Sequence, residues 1–416
     1  MAGRIKELTL SPKTGPGQNK TVRSMTNCNK FFRFFLFSVY IALVMINALY
    51  SQQKNNAGPR LELIHADSLY SAGINTQVLD GNVIFRQENT EMRCDSAIRY
   101  IDLNKVVFIG DVRIVKEAQS LYAQQIDYYQ PRELFIARQD VKLTDSTKVL
   151  TCKQLKYWQD ENRTLARFNV ILRDTLRGMT LTGDSVHYHL DERYARVLIN
   201  PVFTQTDSSD STDLSITGKM IDLFDDGERI EVSENVHISR GDVEARCDTL
   251  KYNRSESSIT LLANPRVIQD FDLMLGQKMQ LFLDGTAVHS ISIEEDAFVA
   301  TRNDTAGTFF YDYLLGRDID IILTDGDIDT VYVQGQATSY YHVIEERKLK
   351  GINKVIGDEL LIDFDNGSIQ LVSIMSTPSV CEGAFYPPGF SGEAAFTMEL
   401  TELEKRYMKT FEEFER

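Results

Sequence analysis

The sequence predicts an all-β fold, an elongated repeat array of antiparallel strands with a short C-terminal α-helix. Three observations predict it: small residues recur at near-equal spacing, apolar residues alternate with period two around them, and polar turn residues separate the halves of each unit. The length of 416 residues suits either two or three ordinary domains or one long array. Hydrophobic residues make up 43% and charged residues 25%, enough apolar side chains for a buried core and too many for wholesale disorder.

Residues 1–51 read as a secretory signal peptide or an N-terminal anchor. Arg23, Lys30 and Arg33 precede an apolar run from Phe34 to Ile46, and Ala48, Ser51 and Gln52 supply a small or polar exit. The run is shorter than the ~20 residues of a membrane span, so cleavage near Ser51 is expected, with an uncleaved anchor as the alternative. Residues 1–24 are long and polar for a leader, which makes Met25 the expected start. Cys28 lies before the apolar run, so a lipoprotein attachment is not indicated.

The charge divides along the chain. The net charge is −15, but the first 51 residues carry +6, leaving −21 for the rest. An acidic body of that size repels phosphate backbones, which argues against nucleic acid as a partner and against holding a phosphorylated lipid mainly by charge.

From residue 58 onward each unit opens with a small residue, then a polar one, then apolar residues at +3 and usually +5. The openings are Ala66, Cys94, Ala123, Cys152, Gly183, Gly218, Cys247 and Gly276, with Gly316 and Gly357 as divergent members, about ten units in all. Their spacings are 28, 29, 29, 31, 35, 29, 29, 40 and 41 residues. The lengthening after Gly276 marks a break near residues 300–310. Residues 52–300 are therefore read as the array and 301–380 as either its divergent continuation or a second subdomain.

Each unit has a second strand that reads apolar-x-Gly/Asn-x-Val-x-apolar, clearest at Leu79–Phe85 and Phe108–Ile114. Its marker valines are Val83, Val112, Val141, Val170, Val202, Val236 and Val267. Alternation in both halves points one face inward. On the opening strands the inward pairs are Ile126 and Tyr128, Leu155 and Tyr157, Val186 and Tyr188, Leu250 and Tyr252, while +2 and +4 face solvent. Unit two reaches its tyrosine one residue late, at Tyr100, which predicts a bulge. Turn residues such as Asp160-Glu161-Asn162 and Asp225-Asp226-Gly227 link the halves.

Residues 381–416 read as a linker and an amphipathic helix. Pro387-Pro388-Gly389 separates it from the array, Thr401 with Glu404 makes a capping box, and Leu400, Leu403, Tyr407, Phe411 and Phe414 follow at helical spacing. Such a helix is expected to cap the array end or to dock a partner.

These motifs resemble those of the OstA-like family, which includes the periplasmic lipopolysaccharide-transport proteins LptA and LptC and the N-terminal domain of LptD. The match is best over residues 61–300 and weak over 301–373. The resemblance implies a β-jellyroll (β-taco) whose inner groove holds lipid acyl chains, with lipopolysaccharide or another acylated lipid as cargo and no enzymatic activity. It further implies other OstA-like components as partners through edge-strand pairing and a periplasmic location in a Gram-negative-type cell, tethered to the membrane if the leader stays. The number of units, the acidic body and the added helix depart from the family pattern. The lipid-groove candidates are Ile126, Tyr128, Val141, Leu155, Tyr157, Val170, Val186, Tyr188, Val236, Leu250 and Tyr252. Read from the residues alone, these side chains favour a packed core, and the resemblance reverses that order. A structural envelope scaffold without lipid cargo stays open as the alternative.

The remaining candidates for chemistry read as register positions. Cys94, Cys152 and Cys247 replace alanine or glycine at the opening position, in units that are not neighbours, so free thiols are expected. His187 and His189 share a strand face but lack a third ligand at suitable spacing. Asp67, Asp95, Asp184, Asp248 and Asp358 recur at +1, yet Gln124, Lys153, Lys219, Gln277 and Arg317 break any calcium ladder. No metal or cofactor is expected, and no nucleophile, zincin or phosphate-loop motif is present.

Overall fold

In the computed structural model the described residues run from 62 to 414, apart from 207–213 and a few isolated positions. The leader expected over residues 1–51 lies outside them. The described strands, 26 in number, form one sheet in which every pairing is antiparallel, followed by a helix, Glu393–Phe414.

The chain meanders. Thr76–Gln87 pairs with Thr90–Tyr100, that strand with Lys105–Lys116, and the order continues through Gln119–Tyr129, Leu134–Asp145, Lys148–Trp158, Arg163–Asp174 and Met179–His189. Each hydrogen-bonded step of this run joins neighbours in sequence, which is why a period of two strands reads so clearly as a repeat. Beyond it, shorter strands also pair past a neighbour, as Met179–His189 does with Val202–Gln205. The strands lengthen to 17–19 residues between Ala287 and Asp365. The sheet passes through residues 300–310 as the paired strands Ala287–Thr305 and Thr308–Thr324.

Both repeat markers meet at one place. Val112 pairs with Ala123, Val141 with Cys152, Val170 with Gly183 and Val236 with Cys247. Immediately before five of the marker valines, two consecutive residues take positive φ, as at Gly110 and Asp111 (78° and 45°), Phe168 and Asn169 (65° and 53°), and Glu234 and Asn235 (60° and 54°). The pairs Ile199-Asn200 and Ala263-Asn264 precede Val202 and Val267 by one and two intervening residues. Two residues on the valine's strand then face one on the next, a bulge that turns the strand sharply. Stacked from unit to unit, these corners form a spine from which two arms of sheet extend. The small opening residue is required because the next corner closes over it. A Cβ on Gly316 would lie 2.5 Å from Val333 Cγ1 and 3.1 Å from the Gln334 carbonyl.

Aspartates at the unit openings serve the same corners. Asp184 Oδ1, at +1, accepts the Asn169 amide at 3.1 Å, and Asp318 Oδ1, at +2, accepts the Glu295 amide at 3.2 Å. A left-handed corner frees an amide from the ladder, and the carboxylate satisfies it.

The arms fold over one another. Side chains from both, including Val83, Met92 and Ile114 on one arm and Phe108, Ile126 and Phe135 on the other, form a single buried cluster. A second cluster continues from Val197 to Ile362, and half-buried Val186 packs against both. One sheet layer alone cannot bury Phe108 and Ile126 to 0% exposure; the interior between the arms does so.

Three expectations need correction. Tyr100 shows no bulge of its own: the ladder runs unshifted from Ala97 to Tyr100 on both sides. Tyr100 therefore stays on the outer face, with the Lys105 ammonium 6.0 Å from its ring centre. The +4 positions are not all solvated, because Asp127 and Asp222 are buried beneath ion pairs. The helix begins eight residues before Thr401, at Glu393, whose carboxylate accepts the Gly389 amide at 3.2 Å. Thr401 instead donates to the Thr397 carbonyl at 2.8 Å in mid-helix. Rather than capping the array end, the helix lies on the outer face of its own sheet, where Phe396, Leu400, Leu403, Tyr407 and Phe411 pack against Ile268, Leu273, Phe298, Tyr313 and Tyr340.

The free thiols occupy the places their register implies. Cys94, Cys152 and Cys247 are buried, and Cys381 is exposed. Burial pushes the first two thiols up to about 12 and Cys247 up to about 11. Since the thiolate is the reactive species, iodoacetamide at pH 8 is expected to alkylate Cys381 and to spare the three buried thiols until urea unfolds the sheet. Mass spectrometry of the peptides reads this directly, and prompt labelling of Cys152 in the folded protein would contradict the spine geometry.

Candidate functional site: the interior between the arms

The interior is built from the inward faces of strands that cross the spine. Of the groove candidates, Ile126, Tyr128, Val141, Leu155, Tyr157 and Val170 lie in the first buried cluster, and Val236 and Leu250 in the second. Val186 and Tyr252 are half-buried against these clusters, and Tyr188 is 8% exposed. The structure thus brings all eleven to the inner faces of one array, and Val186 marks where the two clusters meet. Across the interior Phe85 of one arm meets Phe108 of the other edge to face, with ring centres 6.4 Å apart, and along one arm the rings of neighbouring strands stack. Tyr128 and Phe135 stack at 4.2 Å with an interplanar angle of 15°, and Phe135 lies 6.4 Å from Tyr157. Phe135 and Phe108 belong to the same interior; the alternation on the second strand of each unit carried that signal.

The array ends differ from its middle. The first rung, Glu62–His65 and Ser68–Gly73, has one hydrogen-bonded neighbour and is exposed throughout. Leu63, which pairs with Phe85 as Met92 does, and Leu69, which pairs with Leu79 as Ala97 does, stand 47% and 65% exposed. At the other end Ser368–Met375 pairs, among the described strands, only with Lys348–Asp365, leaving Ile369, Val372 and Ile374 partly exposed opposite Phe364, Ile362 and Leu360. Both ends expose a free strand edge beside a cross-section of the apolar interior.

Polar chemistry sits outside the interior. Asp127 is buried on the outer face of one arm, where Arg138 (2.6 Å), Lys105 (3.2 Å) and Gln125 (2.5 Å) converge on it. Burial opposes its charge, but the bonds from Gln125 and Arg138 outweigh this and hold the carboxyl below the usual carboxylate range. Asp222, at the same place in its own unit, accepts two bonds from Arg196 at 2.7 and 2.9 Å and one from Tyr194 at 2.7 Å. Burial and then the bond to Asp222 push the Tyr194 phenol up to about 12. His187 is lowered, first by burial and then by Arg167 and Arg163. Among the described residues no three His, Cys, Asp or Glu side chains gather to hold a metal ion.

The fold is that of a folded-over antiparallel repeat sheet with a lengthwise apolar interior. Residues 60–169 match the family of OstA-like proteins. No curated protein matches the chain. Among solved structures, the chain is similar to LptH of Pseudomonas aeruginosa, described as the LptA-homologous periplasmic component of the conserved lipopolysaccharide transport device. That similarity has 13% identity and a TM-score of 0.21, and covers 34% of this chain and 79% of LptH.

Proposed function

We propose that the protein is a non-enzymatic, periplasmic component of lipopolysaccharide transport to the outer membrane, which shields acyl chains between the two arms. The observation that carries this reading is the coincidence of the OstA-like segment, residues 60–169, with rungs whose inward side chains form one continuous apolar interior. A lipid crossing an aqueous compartment must keep its methylenes out of water, at about 0.8 kcal/mol for each one exposed. An apolar interior running along the array meets that need without covalent chemistry. Because side chains of both arms share one buried cluster and Phe85 meets Phe108 across it, cargo enters by parting the arms. The open edges at both ends support pairing with other OstA-like components, which would extend the interior into the partner.

The contact between the arms also favours a second reading, in which the array is a structural scaffold of the envelope with no cargo. A photo-crosslinking residue at Tyr157 or Tyr188 in living cells separates the two. Transport predicts lipopolysaccharide adducts at these inward positions. No adduct there, while an established bridge protein in the same cells does form them, would leave the scaffold reading.

A further inference from the structure

The C-terminal helix lies across the strands rather than along them. Twenty-two residues at 1.5 Å each span about 33 Å. Beneath the helix the outer arm runs, in order of pairing, through Val243–Asn253, Arg266–Gln269, Asp272–Leu275, Ala287–Thr305, Thr308–Thr324, Asp327–Glu345, Lys348–Asp365 and Glu382–Tyr386. Eight strands at ~4.8 Å spacing cover about 34 Å, so helix and strand stack match in length.

The attachments follow the same order along the helix. At its C-terminal end the Phe414 carbonyl accepts from Arg246 at 2.8 Å. Tyr407 donates to the Phe271 carbonyl at 2.8 Å and packs 4.6 Å from Tyr311, and Arg406 pairs with Asp296 at 2.9 Å. Near its start Glu399 accepts from Tyr340 and pairs with Lys354 at 3.0 Å, and Phe396 stacks on Tyr386 at 4.5 Å. Tyr407 is buried to 2% exposure. Each attachment reaches a different strand, and among the described residues no helix crosses the arm over the earlier rungs.

We infer that this helix is a strap that makes the arm of the last rungs a single plate, so that the interior opens only in the described rungs ahead of it, residues 62–205 and 214–240. To part the arms at one strapped rung, that strand must lift with its seven neighbours or tear the helix away. An unstrapped rung is held to its neighbours by ladder bonds and can lift with one or two of them. The placement of lipid entry in the first half rests on the transport reading above; the mechanical difference between the halves does not.

Two measurements on the full chain test this. Hydrogen exchange is expected to be at least tenfold slower in strands 308–324 and 327–345 than in 105–116 and 134–145. Leu403→Ser, or separately Tyr407→Ser, should raise exchange in the first pair of strands at least tenfold and leave the second pair unchanged. Tyr407→Phe, which keeps the ring, should raise it far less. Equal exchange in the two halves, or no response to either serine variant, overturns the strap. Spin-label pairs across the arm tips, Asp102 with Ala118 and Gly326 with Glu346, are then measured with and without dodecyl maltoside as an acyl-chain probe. Widening of the first pair alone is expected. Equal widening of both pairs overturns the strap, whereas no widening of either, with the exchange contrast intact, overturns the lipid reading and leaves the strap standing.

Discussion

Phe135→Ala is expected to lower the stability of the array by about 3–5 kcal/mol, the range for emptying a buried aromatic site. Phe135 is 1% exposed and sits between Tyr128 and Tyr157, with which its strand pairs in register on either side. Its removal leaves a cavity that backbone hydrogen bonds on both flanks prevent from collapsing. Urea unfolding followed by the fluorescence of Trp158, which lies in the next strand, gives the shift in midpoint. Leu176→Ala is the control: at 72% exposure it should change stability by no more than ~0.5 kcal/mol. The size of the Phe135 effect also bears on function. An interior held ajar would give a loss nearer the ~1 kcal/mol of an average substitution, because water would already touch the ring. A loss in the full range means that the arms close in the absence of cargo and that lipid must compete with protein side chains for the same space.

Much of this was legible in the sequence because the repeat ties chemistry to register. The small residue, the marker valine and the inward tyrosine each answer one geometric demand per unit, and repetition lifts a weak local pattern above chance. The corner was only half legible. Gly81-Asn82 and Gly110-Asp111 advertise left-handed backbone, but Phe168-Asn169 and Ile199-Asn200 adopt it with an aromatic and a β-branched residue in the first place. The array context imposes that conformation, and single-residue propensity gives no hint of it; Phe168 and Ile199 are 55% and 57% exposed, so burial does not repay the strain locally. The helix was misplaced for a related reason. Thr401 and Glu404 satisfy a capping pattern, yet the Ala-rich turn before them is a good helix former and Gly392, at a φ of 102°, supplies the break. Its docking face could not be read at all, since Ile268, Leu273 and Phe298 alternate with Val267, Met274 and Val299, and a strand apolar on both faces carries no period-two signal. The buried Asp127 and Asp222 were hidden by the same logic, as polar residues on a face presumed wet.

Those two aspartates give the second large effect. Asp127→Ala is expected to cost about 2 kcal/mol at pH 7, since it strands Lys105 and Arg138 beside a buried site. The figure lies below that for breaking a fully buried pair because the two cations keep 20% and 32% exposure and can be partly hydrated. Its pH dependence has a definite sign. The carboxyl is held below its ordinary value of 3.8 in the folded protein, so the unfolded chain takes up the proton first as pH falls. The contribution is complete above that value and disappears as pH drops through the lower folded one. Urea midpoints for the protein and Asp127→Ala should therefore differ most from pH 5 to 7, and draw together as the pH falls progressively below 3.8. Asp140→Ala, which breaks the exposed Lys153 pair, should show a difference near zero throughout. A gap for Asp127→Ala that stays constant down to pH 2 would mean that its side chain acts through packing and not through charge. Convergence on acidification would establish that the outer face of this arm is held by a buried carboxylate, and that the arm loosens from outside in acid while its inner aromatic stack is untouched.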